Sequence, residues 1–180
     1  MAEADKAFLP THNEYIALER HVLQDNITLC DTKSGILLGF SALVILWCFD
    51  RLSEAAQHWS ASLFLMKLEA ILYGIAVLAL LATIIFAWRV VKPRIRPSED
   101  HIFWDSKIFR ESEAIFASRI QCAAPDALAT DMLRHLHVLG GICREKFANF
   151  RRATISAQFS ALIVFMAVCT RVAARLIDGL

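Results

Sequence analysis

The chain has 180 residues, 57% of them hydrophobic, with a formal net charge of +1 and a mean hydropathy of +0.47. That hydropathy lies above the soluble norm, and so small a net charge gives no support to nucleic-acid binding. The five cysteines, Cys30, Cys48, Cys122, Cys143 and Cys169, are scattered without a Cys-x-x-Cys pair, which speaks against a zinc site and against a disulfide framework.

Met1 to Pro10 reads as a short tail, with no apolar stretch behind a basic segment and therefore no cleavable signal peptide expected. Thr11 and Glu14 have the spacing of a capping box, which predicts a helix start. Tyr15, Leu18, Val22 and Leu29 then recur at helical steps, with Ile16, Leu23, Ile27 and Cys30 beside them and Glu19, Arg20, Gln24 and Asp25 opposite. This N-terminal helix is amphipathic and leads to the acid-Thr-base triplet Asp31-Thr32-Lys33.

Three uncharged runs follow, Ser34 to Phe49, Ala70 to Trp88 and Ala153 to Thr170, each near the length that crosses a hydrocarbon core of roughly 30 Å as helix. The first is the shortest, roughly 24 Å as ideal helix, so Lys33 has to snorkel or the bilayer has to thin. Asp50 to Ser62 reads as a short outer loop with a weak helical pattern. Eleven Lys and Arg lie between Lys92 and Arg152, against only Arg51 and Lys67 from Asp50 to Glu69. By the positive-inside rule the rich segment is cytoplasmic, which places the N-terminus inside and the C-terminus outside. Cys48 and Cys169 then fall near the same outer face, close enough along the membrane normal for a disulfide to be conceivable.

Pro93 and Pro97 end the second helix, and Ser98 with Glu99 and Asp100 reads as a new helix start. Beyond it, Phe103, Trp104, Phe109, Ile115, Phe116 and Ile120 predict one or two surface helices with aromatic inner faces. After a turn at Pro125 and Asp126, Met132, Leu136, Leu139, Cys143, Phe147 and Phe150 form a helix-period stripe that runs into the third span. The tail after Thr170 has the composition of a segment lying on the outer membrane surface. The expected fold is an all-α membrane protein with about three transmembrane helices. Its parts are a tail and amphipathic helix (1–33), two spans with a short outer loop (34–91), a cytoplasmic helical segment (92–152), and a third span with a short tail (153–180).

Catalysis has little support: there is no phosphate loop and no recognisable nucleophile arrangement. His135 and His137 point to different sides of a helix, and Asp131 with His135 forms an i, i+4 pair without further ligands, so no metal and no catalytic residue is expected. The small residues say more. Gly35 with Gly39, the series Ala79, Thr83, Ala87, and the series Ala153, Ala157, Ala161 allow close helix approach, either within one bundle or between subunits. Three helices are too few to enclose a water-filled pore, so a channel would require a homo-oligomer. Asp31 and Lys33 admit a bland reading as helix cap and headgroup anchor. The sharper one makes them part of a membrane-proximal site for an anionic ligand, with Arg94, Arg96, Arg144, Lys146, Arg151 and Arg152 as phosphate contacts and Phe103, Trp104 and Phe147 as stacking platforms.

The block Asn26-Ile27-x-x-x-Asp31-Thr32-Lys33-Ser34-Gly35-Ile36-Leu37-Leu38, the Pro93 to Pro97 exit, His101-Ile102-Phe103-Trp104 and Arg144-Glu145-Lys146-Phe147 together resemble the Pycsar transmembrane effectors, from about Tyr15 to Val168. That resemblance implies a bacterial antiphage role. A partner pyrimidine nucleotide cyclase makes cCMP or cUMP on infection, and the effector responds by damaging the inner membrane, an abortive infection. It implies no other cofactor, and any nucleotide has to bind among helices. The competing expectations are a non-enzymatic adaptor that anchors a cytosolic partner to the bilayer, and a small membrane enzyme using Asp131, His135 and His137.

Overall fold

The computed structural model describes residues 12–57, 64–92 and 112–178, and nearly all of them are helical, with no strand among them. The helices are α1 (His12–Gln57), α2 (Phe64–Val91), α3 (Glu113–Cys122) and α4 (Pro125–Asp178). Three of these, α1, α2 and α4, are long and apolar enough to cross a membrane.

The helices outrun the uncharged runs at several ends. α1 carries the N-terminal segment, the Asp31-Thr32-Lys33 triplet and the first span as a single helix of 46 residues, and it continues through Arg51 and Glu54 into what the sequence suggested was loop. Asp31 is therefore mid-helix and caps nothing, because its neighbours' backbone groups are already paired within the turn. α4 likewise joins the segment after Pro125 to the third span in one helix of 54 residues, and the tail after Thr170 extends it to Asp178 instead of leaving it. Proline at the first position suits the start of α4, since its missing N–H would have no helical partner there. The Pro93 to Pro97 exit, the expected start at Ser98, and Phe103, Trp104 and Phe109 lie outside the described residues.

The chain divides into two compact units, one formed by 1–29 with 93–145 and the other by 30–92 with 146–180. In the first unit α4 buries Leu139 and Cys143 as the apolar stripe predicts, but over the preceding turns it buries Asp131 and His135, one residue round from Met132 and Leu136. The shift has a simple cause: two of the inward positions are polar, and a hydrophobic pattern cannot register them. On α1 in this unit Ile16 is buried, whereas Tyr15, Leu18 and Val22 are exposed.

The second unit is a bundle of α1, α2 and α4. α2 buries Glu69, Tyr73, Ala76, Leu80, Thr83, Ala87 and Val90, with Val77 beside them. The alternating steps of four and three average 3.5 residues, the repeat that keeps one seam against its neighbours along a whole helix. α1 does the same with Ser34, Ser41, Cys48 and Ala55, and α4 with Lys146, Asn149, Ala153, Ser160, Ile163 and Ala167. Ile45, Cys48, Tyr73, Val77, Leu80 and Ala167 make the central cluster.

Large apolar side chains such as Phe40, Leu46, Leu78, Trp88, Phe159 and Phe165 point outward. Small and polar residues inside with bulky apolar ones outside is the arrangement that suits lipid, where close backbone approach and interhelical hydrogen bonds hold helices together. Ser156 Oγ makes such a bond, donating to the Ala79 carbonyl at 2.8 Å, which also accepts from Thr83 Oγ1 at 3.0 Å. The small-residue series part company here. Thr83, Ala87 and Ala153 are buried in the bundle. Gly35 and Gly39 face away from it, with open space where a Cβ would stand.

Candidate functional site

Two sets of charges bracket this bundle. At one end Lys146 of α4 donates from Nζ to Asp31 Oδ1 of α1 at 2.5 Å. The two side chains are unequally covered, with Lys146 only 6% exposed and Asp31 36%. At the other end Arg171 Nη2 of α4 donates to Glu54 Oε2 of α1 at 2.5 Å, and its Nη1 lies 3.8 Å from Glu69 Oε1 of α2. Arg51 completes this cluster by donating to both Glu54 oxygens at 2.9 Å and by stacking its guanidinium 5.6 Å above the Trp47 ring, which in turn meets Tyr73 edge-on. Twenty-three residues separate Asp31 from Glu54 on α1 (54 − 31 = 23), about 35 Å of helix, so the brackets sit at the two margins of a bilayer's thickness.

Local sequence explains why each charge is where it is. Asp31 precedes Ser34, Ser41 and Cys48 on the inward seam by about one turn, so it faces the same neighbours as they do. Lys146 opens the inward seam of α4, and its aliphatic stem can pass along that seam while the ammonium meets a carboxylate. Ser34 Oγ, Ser41 Oγ and Tyr73 Oη are buried without hydrogen-bond partners, so the interior is not fully satisfied between the brackets.

Of the residues proposed for an anion site, the structure joins Asp31 and Lys146. Lys33, Arg144, Arg151 and Arg152 are exposed. Phe147 is 44% exposed and, with Phe150, Arg151 and Ile155, lines a hollow of about 530 Å³ on α4. Arg94, Arg96, Phe103 and Trp104 lie outside the described residues. Cys48 and Cys169 are free thiols, the first buried in the core and the second exposed, so they do not pair. The far cluster of Arg51, Glu54, Glu69 and Arg171 is absent from the sequence reading. Its signal was available: all four stand within a few residues of the ends of uncharged runs, where a charge is costly unless it reaches headgroups or a partner.

An all-helical protein with three membrane-length helices, a polar seam inside and charge pairs at both margins is an integral membrane protein. A family model described as a Pycsar effector protein domain matches residues 19–173. The chain belongs to that family, and is accordingly an effector of antiphage defence. No curated protein and no solved structure matches it.

Proposed function

We propose that this effector responds to a cyclic pyrimidine mononucleotide, cCMP or cUMP, made by a partner cyclase, and then impairs the integrity of the bacterial inner membrane, ending in abortive infection. In this reading the N-terminus and the basic segment are cytoplasmic, the active species is a homo-oligomer, and no catalytic step is involved. Family membership supports the signalling context. The observation that supports this mechanism is the buried Lys146 ammonium held by Asp31 at one end of the bundle.

A nucleotide phosphate is a competing anion for that ammonium. Drawing Lys146 toward the phosphate releases Asp31 and unties α4 from α1 at that margin, while Arg144, Arg151 and Arg152, with Arg94 and Arg96, add charge-assisted contacts. Phe147, with Phe103 and Trp104, offers stacking surface for the base. Driving an equilibrium from 1:99 to 99:1 requires a ligand that prefers the open state by roughly 5.5 kcal/mol, a difference that several such contacts can supply. The test is dye release from liposomes containing the purified protein. Release should rise with cCMP or with cUMP in the unsubstituted protein, whereas Lys146→Met liposomes, whose tie is already broken, should leak equally with and without nucleotide. Dye retained at every concentration of both nucleotides would sink the proposal.

A further inference from the structure

The far bracket holds more than a salt-bridge network. Arg51, Glu54, Met66, Glu69, Arg171 and Arg175 line a cavity of about 370 Å³ formed by α1, α2 and α4. Its charges are unevenly satisfied. Glu54 is taken up by hydrogen bonds from both Arg51 and Arg171. Glu69, whose side chain is 8% exposed, accepts no hydrogen bond from a described residue: Arg171 Nη1 lies 3.8 Å away, too far for one, and Arg175 and Arg51 act on it through charge alone. Arg175 lies one turn beyond Arg171 on the same face, exposed, and forms no ion pair with a described residue.

The cavity thus presents a mostly buried carboxylate with no hydrogen-bond donor among the described residues and a guanidinium, Arg175, that feels its charge without bonding to it. A buried carboxylate with no hydrogen bond is costly, so a group that donates N–H bonds to Glu69 is favoured, and an anion tethered to that group would meet Arg175. The level of the cavity narrows the choice. Glu54, Glu69 and Arg171 stand just beyond the uncharged runs, at the depth of lipid headgroups in either orientation of the protein.

We propose that this cavity binds the phosphoethanolamine headgroup of a membrane lipid, its primary ammonium donating to Glu69 and its phosphate accepting from Arg175. The other common headgroups lack one half of the match. A choline ammonium has no N–H to donate, and a glycerol headgroup has no cation for Glu69.

The test uses the full-length protein in detergent with added phosphatidylethanolamine, phosphatidylcholine or phosphatidylglycerol of identical acyl chains, reading the thermal unfolding midpoint. A ligand that binds the folded state raises that midpoint. Phosphatidylethanolamine should raise it by several degrees more than the other two, and Glu69→Gln and Arg175→Gln should each remove the excess. Native mass spectrometry of the unsubstituted protein should show the same preference among retained lipids, independently of whether either variant folds. Equal shifts from all three lipids, or a preference that persists in Glu69→Gln, would overturn the proposal. So would an equal shift from soluble O-phosphoethanolamine, because the lipid origin would then be wrong.

Discussion

The two ends of the three-helix bundle bury opposite signs. At the Asp31 end the cation is the buried partner, with the Lys146 side chain 6% exposed against 36% for Asp31. At the Glu69 end it is the anion, with the Glu69 side chain 8% exposed against 23% for Arg171. The difference matters because the cost of breaking such a pair falls chiefly on the charge left stranded away from water. Each bracket is therefore asymmetric in its sensitivity, and the sensitive position is the less buried partner, Asp31 at one end and Arg171 at the other.

The largest expected effect follows from the tighter bracket. Asp31→Ala strands the Lys146 ammonium and should cost about 3–5 kcal/mol, whereas Lys146→Met removes the buried charge, leaves Asp31 to water and should cost under about 1 kcal/mol. Unfolding titrations in mixed micelles compare the two, and equal losses would erase the asymmetry. At the other end Arg171→Ala strands Glu69 and frees Glu54. With Glu69 already held only at 3.8 Å, the loss should be smaller, about 1.5–3 kcal/mol, the range for hydrogen bonds to charged groups. Adding Glu69→Gln to Arg171→Ala should restore part of it, and a double variant no more stable than the single would show that Glu69 is not the stranded group. Gly39→Ala belongs to neither end and meets open space. It should stabilise the monomer by up to about 1 kcal/mol through helix propensity; a loss in the same titration, together with a changed oligomer distribution, would mean that another subunit covers that face.

The spans were legible because a bilayer demands long uncharged runs, and Ser34 to Phe49, Ala70 to Trp88 and Ala153 to Thr170 all lie within membrane-length helices. Helix ends were less so. The charges of Asp50 and Arg171 end two of the runs, yet Arg51 pairs with Glu54 along α1 and Arg171 pairs with Glu54 across helices, so both helices continue through these charges. Asp31 and Lys146 were both singled out from sequence, but as separate contacts for a ligand. Their pairing spans 115 residues, and nothing local encodes it. Gly35 and Gly39 show the converse failure: spacing identified a small-residue step on α1 but could not tell which way it faces, and it faces outward.

Both brackets join the first membrane helix to the last. Asp31 and Lys146 are 115 residues apart, Glu54 and Arg171 117. At a synthesis rate of about 5–20 residues per second, roughly 6–23 seconds pass between the making of each anion and the making of its cation. For that interval α1 and α2 can occupy the bilayer, but neither end of the bundle can close. A chain cut short before Lys146 never acquires either fastening, so the arrangement in which the helices are held at both margins exists only in molecules translated through Arg171.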